Sequence, residues 1–171
     1  DVIKSLKQDG HYLGAHSNDH LLYCAWENRD STLINREIFT KDIVDNYNLM
    51  AKAGIHPADA PLFIPPYEWY NEEIAGWAQG MGLKIVNFTP GTGSNADYTT
   101  PDMKNYRSSK DIFNQIIKVE EADGLNGHLL LVHLGTHPDR TDKFYNRLDK
   151  LIKTLKKRGY TFVPLRDATG Y

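Results

Sequence analysis

Apolar residues along this chain recur at two alternating spacings, one suited to amphipathic helices and one to short buried strands. Val2 to Gln8 predicts a short helix that stops at Gly10, and Tyr12 to Ala15 predicts the strand after it. A second helix places Ile43, Val44, Tyr47, Met50 and Ala51 on one face, with Thr40 as its cap and Gly54 just past its end. Pro61 to Ile64 then reads as a buried strand. The rhythm recurs three times. Asn71 caps a helix that turns Ile74, Trp77, Ala78 and Met81 inward, ahead of a strand from Leu83 to Phe88. Ser109 opens a helix carrying Ile112, Phe113, Ile116 and Ile117, ahead of a strand over Gly127 to Val132. The last helix packs Phe144, Leu148, Leu151, Ile152 and Leu155, and leads past Gly159 into a strand over Tyr160 to Leu165.

Strands separated by helices pair in parallel, so the expected class is α/β. Five strands are too few for a closed β/α barrel, and the chain opens on a helix. We therefore expect one catalytic-type domain over residues 1–171, incomplete at its N-terminus, with its first strands upstream.

Composition narrows the function. Twenty Lys and Arg against 22 Asp and Glu give a net charge of −2 with no polybasic stretch, so a nucleic-acid partner is not expected. No apolar run reaches the ~20 residues of a membrane-spanning helix. The single Cys24 excludes a disulfide framework and a multi-cysteine zinc site. The start at Asp1, without Met or an apolar leader, reads as a trimmed chain.

In parallel α/β folds the chemistry gathers where strands end. The unusual polar segments fall there: His16-Ser17-Asn18-Asp19-His20 after the first strand, Pro65-Pro66-Tyr67-Glu68-Trp69 after the second, Thr89 to Tyr98 after the third, and His133 closing the fourth. Two histidines four residues apart can turn both imidazoles to one ion, although the same spacing also suits surface or capping histidines. No Glu follows His16, so the metalloprotease motif is excluded. His133 is either a histidine bonded to backbone or a general acid. The Pro65-Pro66 pair stiffens the chain as it leaves a strand, and can aim a backbone N–H at a developing oxyanion. Trp26, Trp69, Tyr67 and Tyr98 lie in loops where they can stack on sugars or simply pack. Gly91-Thr92-Gly93 is a turn without the Lys of a phosphate loop.

As an ordered set, these segments resemble the polysaccharide deacetylases of carbohydrate esterase family four. His16 to His20 looks like the family's two-histidine metal motif, Ile64-Pro65-Pro66-Tyr67 like its Arg-x-Pro-Tyr, Asp97-Tyr98 like its Asp-aromatic motif, and Leu130 to His133 like its catalytic-histidine strand. The resemblance implies a distorted (β/α) barrel whose N-terminal strands are missing from this chain. It implies a metal-dependent hydrolase that removes acetyl groups from an acetylated polysaccharide or oligosaccharide, with a divalent metal, zinc in the first instance, held by His16 and His20. The catalytic set would be His133, Tyr67 and Asp97, with Pro66, Trp69, Tyr98 and Trp26 against the sugar. The expected location is periplasmic or extracellular.

Two departures stand out. The family's Asp-Asp motif, which supplies the base and the third ligand, is absent and expected upstream. The Arg of the third motif is replaced by Ile64, with Arg36 and Arg140 as candidate substitutes. The rival is a carbohydrate-binding relative that has lost activity. A different metal-dependent amidohydrolase barrel would need a His-x-His pair on its first strand, and there is none.

Overall fold

The computed structural model describes residues 2–168. The chain forms two compact units, one running to Asn87 and including the segment from Pro164 on, the other spanning Phe88–Val163. The first unit carries α1 (Val2–Gln8), α2 (Arg36–Ala51), β1 (Leu62–Phe63), α3 (Glu72–Gly80), β2 (Lys84–Ile85) and α6 (Leu165–Ala168). The second carries α4 (Ser109–Asp123) and α5 (Leu148–Lys157).

The helices follow the apolar spacing, with shifted ends. α2 begins at Arg36, because the Asn35 side chain accepts the Ile38 N–H and caps it there. Thr40, the expected cap, lies inside the helix. Phe39, Ile43 and Tyr47 are buried along its inner face, whereas Val44 is 44% exposed. Asn71 caps α3 as expected, and α4 opens at Ser109 as expected, capped by the Ser108 side chain. A 3₁₀ turn, Phe144–Arg147, leads into α5, whose Leu151 and Leu155 are buried.

The strands are fewer than expected. β1 and β2 pair in parallel, Leu62 opposite Lys84 and Phe63 opposite Ile85, and Ala15 adds a single parallel bridge to Phe63. This places the segment ending at Ala15 beside β1, an approach that requires Gly14 to be bare, since a Cβ there would lie 2.7 Å from the Leu62 carbonyl oxygen. The expected strands over 127–132 and 160–165 form no ladder. Thr89 N–H donates to the Leu129 carbonyl at 2.9 Å, but the segment stays otherwise unpaired as a strand. Leu165 starts a helix, and Phe162 and Val163 are about half exposed. An apolar run reports a tendency to be buried; a strand also needs a neighbour offering its backbone.

The first unit has a hairpin-like excursion that the spacing did not reveal. Cys24 bridges Thr32 in antiparallel fashion, with Leu33 N–H on the Tyr23 carbonyl (2.8 Å) and Ala25 N–H on the Ser31 carbonyl (2.9 Å). Its core contains Ala15, Tyr23, Cys24, Phe39, Ile43, Phe63, Ile74 and Ala78. The second unit's core is built from Ile112, Ile116, Leu125, Phe144, Leu151 and Leu155.

Two buried phenols in the first unit give a stability prediction. Burial raises the Tyr47 pKa to about 12, and burial together with the Asp42 carboxylate raises that of Tyr23 well above the usual value. An unfolded chain releases both protons near pH 10 while the fold retains them, so their contribution is intact below pH 10 and lost as pH rises above it. Chemical denaturation is expected to show stability falling above pH 10 by about 1.4 kcal/mol per pH unit for each such group. Tyr23→Phe should flatten the slope, and an unchanged slope would refute this assignment.

Candidate active site

The His16–His20 loop leaves the chain at Ala15, next to β1, and is held from below by α2. Asp42, 2% exposed, accepts the Asn18 N–H (2.8 Å) and the Asp19 N–H (2.7 Å) on Oδ1, and the Tyr23 hydroxyl (2.8 Å) on Oδ2. One turn on, the Asn46 side-chain oxygen accepts the His16 N–H at 3.2 Å. Neither residue was expected to matter. The available signal was two polar side chains, four apart, beside the buried Phe39-Ile43-Tyr47 stripe.

His16 Nδ1 lies 2.7 Å from the Ile64 carbonyl oxygen. A carbonyl only accepts, so Nδ1 carries the hydrogen and the Nε2 lone pair faces outward. That second bond is how a metal-ligating histidine is usually oriented. The His20 ring stands 5.0 Å from that of His16 and 4.5 Å from that of Tyr67, edge to face in both cases. Tyr67 in turn meets Trp26 at 5.5 Å, and Trp26 meets Trp69 at 5.7 Å. The structure thus brings together His16, His20, Tyr67, Trp26 and Trp69, all predicted from the sequence. Pro66, also predicted, is buried within the Pro66–Glu68 turn.

Backbone strain marks the same two loops. Ser17, His20, Tyr67 and Glu68 are the non-glycine residues with positive φ among those described, at 70°, 52°, 59° and 54°. Such conformations cost of order 1–3 kcal/mol each and cluster at functional sites. At Tyr67 the backbone N–H has no acceptor among the described residues, while the following Glu68 N–H turns back to the Pro65 carbonyl.

The second unit places Asp97 under His133. Asp97 sits in the 3₁₀ turn Ser94–Tyr98, which Gly93 enters at φ 68°. Its side chain is fully buried, with Oδ1 2.6 Å from His133 Nδ1 and Oδ2 accepting the His133 backbone N–H at 2.8 Å. Nδ1–H therefore donates to Asp97, which fixes the tautomer and orientation of the ring. The Tyr98 ring lies 5.9 Å from the imidazole. Arg140, fully buried, fixes the chain beyond this turn by donating to the Thr99 carbonyl (2.5 Å) and the Arg107 carbonyl (3.0 Å). Its guanidinium is thus committed to backbone in this unit, and Arg36 is exposed on α2. A cleft of about 520 Å³ in the same unit, lined by Gly91, Thr92, Arg107, Asp111, Gln115 and Lys118, includes none of the predicted catalytic residues.

No family model matches the chain. It is 26% identical over 170 residues to a peptidoglycan-N-acetylglucosamine deacetylase of Bacillus cereus, covering 99% of this chain and 68% of that protein. The crystal structure of the Bc1960 peptidoglycan N-acetylglucosamine deacetylase superimposes with a TM-score of 0.72 at 22% identity, over 98% of this chain and 67% of that one. The chain has the fold of the family-four polysaccharide deacetylases. It matches only part of them, about two thirds of each of these two. The deacetylase fold also includes BA3943 of Bacillus anthracis, described as a pseudoenzyme of the family, at a TM-score of 0.63 and 14% identity over 49% of that chain.

Among the described residues, no group of three or more His, Cys, Asp or Glu side chains is placed to hold a metal ion. The donors that the His16–His20 loop offers are two imidazoles with ring centroids 5.0 Å apart, one of them with its tautomer fixed by Ile64. No described helix is long and apolar enough to cross a membrane.

Proposed function

We propose that this chain is part of a metal-dependent deacetylase of N- or O-acetylated polysaccharide, built on the family's distorted barrel and working outside the cytoplasm. The observation that carries this reading is the His16 imidazole, whose Nδ1 is committed to the Ile64 carbonyl so that Nε2 points its lone pair outward. His16 and His20 would hold a divalent ion, zinc in the first instance. When bound, that ion supplies Lewis acidity to the acetyl carbonyl and acidifies water. The reading also requires carboxylates for the third ligand and the base, which the resemblance locates ahead of His16.

The remaining roles fall to groups whose environments support them. The Tyr67 N–H, without an acceptor among the described residues and held in a strained turn by Pro65 and Pro66, is suited to donate a hydrogen bond to a developing oxyanion. His133, oriented by buried Asp97, would deliver a proton from Nε2 to the departing amine or alcohol. Trp26, Trp69 and Tyr98 would stack on sugar rings.

The full-length protein is expected to release acetate from an N-acetylated glycan, to stop when a chelator is added, and to resume with zinc. His16→Ala should weaken zinc binding by about tenfold or more, read by metal titration rather than turnover. Acetate release indifferent to both chelator and His16→Ala would end this reading. The replacement of the motif Arg by Ile64 favours one alternative, a binding relative without activity. Glycan affinity without acetate release in the zinc-loaded protein would establish it.

A further inference from the structure

The hairpin tip between Cys24 and Thr32 is tied down more heavily than an exposed loop requires. Trp69 Nε1 donates to the Ala25 carbonyl at 3.2 Å, and Asn71 Nδ2 donates to the Arg29 carbonyl at 3.1 Å and to Thr32 Oγ1 at 2.9 Å. Thr32 Oγ1 donates in turn to Glu73 at 2.6 Å. Among the exposed residues of this tip are Trp26 and Arg29. Trp26 is 53% exposed and stands between Tyr67 and Trp69, in a row of rings that begins at His20.

Arg29 lies at the far end of that row. Its guanidinium carbon sits 4.4 Å from the Trp69 ring centroid and 5.4 Å from that of Tyr70, and Nε donates to the Tyr70 carbonyl at 2.5 Å. The fork is therefore oriented by stacking and by one hydrogen bond, as in sites that recognise carboxylates in two-point fashion. Its two terminal nitrogens have no acceptor among the described residues. Glu27 and Asp30 flank it in sequence and Glu73 serves the same hairpin, yet none lies within ion-pairing distance of it. A rigid, stacked and exposed guanidinium that its own acidic neighbours leave unpaired is arranged for an external anion.

Building on the deacetylase reading above, we infer that Trp26, Trp69 and Arg29 form a subsite for a carboxylate-bearing sugar, so that the preferred substrate is an anionic glycan. The aromatic rings supply a sequence of stacking faces leading away from the histidine pair. Arg29 supplies the charge that distinguishes an acidic neighbour from a neutral one. The carboxylate can be an ether-linked lactyl group or a ring uronate, and the chemistry recognised is the same.

Affinities of the whole chain for three tetrasaccharides decide the matter: neutral chitotetraose, a hyaluronan tetrasaccharide carrying uronates, and an alternating N-acetylglucosamine–N-acetylmuramic acid tetrasaccharide carrying lactyl carboxylates. At least one acidic glycan is expected to bind about fivefold more tightly than the neutral one at low salt, with the advantage shrinking as salt rises. Which acidic glycan gains identifies the source of the carboxylate. Arg29→Gln should bring the ratio of acidic to neutral affinity down to about one, and Arg29→Lys should restore only part of it. Trp26→Ala should weaken all three. Equal binding of neutral and acidic glycans, or an advantage that survives Arg29→Gln, overturns the assignment of Arg29 while leaving the deacetylase reading intact. Failure of all three to bind overturns both.

Discussion

Replacing Asp42 by alanine is expected to destabilise the first unit by about 3 kcal/mol, because two backbone N–H groups and one phenol lose their acceptor together. The loss is held to that size by the exposure of Asn18 and Asp19, whose N–H groups can turn to water once released. The phenol of Tyr23 is fully buried and has no such recourse. Asp42→Asn keeps one carboxamide oxygen for the two N–H groups, and the Tyr23 hydroxyl can reverse to accept from its NH₂. That variant should cost about 1 kcal/mol. Tyr23→Phe in the Asp42→Ala background should add less than it does alone, since the two share a bond. Urea denaturation of the four proteins checks this, and additive losses would show that Asp42 and Tyr23 act separately. The functional counterpart is metal affinity. The Asn18-Asp19 segment joins the two histidines, so Asp42→Ala should weaken zinc binding even where the fold persists.

The second large effect concerns Asp97. Asp97→Asn is nearly isosteric, yet it replaces a carboxylate that accepts from both the His133 ring and its backbone by an amide with only one accepting atom. If the amide oxygen keeps the backbone N–H, its NH₂ faces Nδ1, and the hydrogen on the ring must move to Nε2. The proton-donating ring, an imidazolium with hydrogens on both nitrogens, would then meet an NH₂ at Nδ1 instead of a carboxylate, so the form that donates from Nε2 loses its partner. In the full-length protein, turnover is expected to fall by about a thousandfold, with the substrate concentration for half-maximal rate little changed, because orientation of the proton donor matters mainly in the transition state. Nitrogen-15 spectra of His133 should report the tautomer directly. An unaltered tautomer accompanied by normal turnover would remove Asp97 from the machinery.

How much of this was visible in the residues follows from what each feature depends on. The helices were legible because their apolar faces and caps are local: Asn71 caps α3 as anticipated, and the Ile112-Ile116 stripe is buried. The start of α2 slipped because Asn35, ahead of the expected cap Thr40, takes the capping bond. The strands were the weak point, because pairing depends on a neighbour distant in sequence. Leu62–Phe63 and Lys84–Ile85 found each other, whereas Phe162 and Val163 are left half exposed. The histidine pair, Asp97 and His133 could be picked out through the family resemblance, but the 2.6 Å contact between Asp97 and His133, 36 residues apart, could not. Asp42 was beyond reach, and Arg140 stood out only as a candidate substitute for the motif Arg. Both look like ordinary surface charges in a one-dimensional reading, and only the fold shows them buried against backbone groups.

The lone cysteine acquires a practical use from its position. Cys24 is fully buried, burial raises its thiol pKa, and it lies on the hairpin four residues after His20. A thiol reagent in solution can reach it only when that hairpin opens, so its labelling rate relative to an unhindered thiol measures how often the segment beside the histidine pair comes apart. This chain thus carries its own clock for the motion of that region, readable without an added probe and with no second sulfhydryl among its 171 residues to confuse the signal.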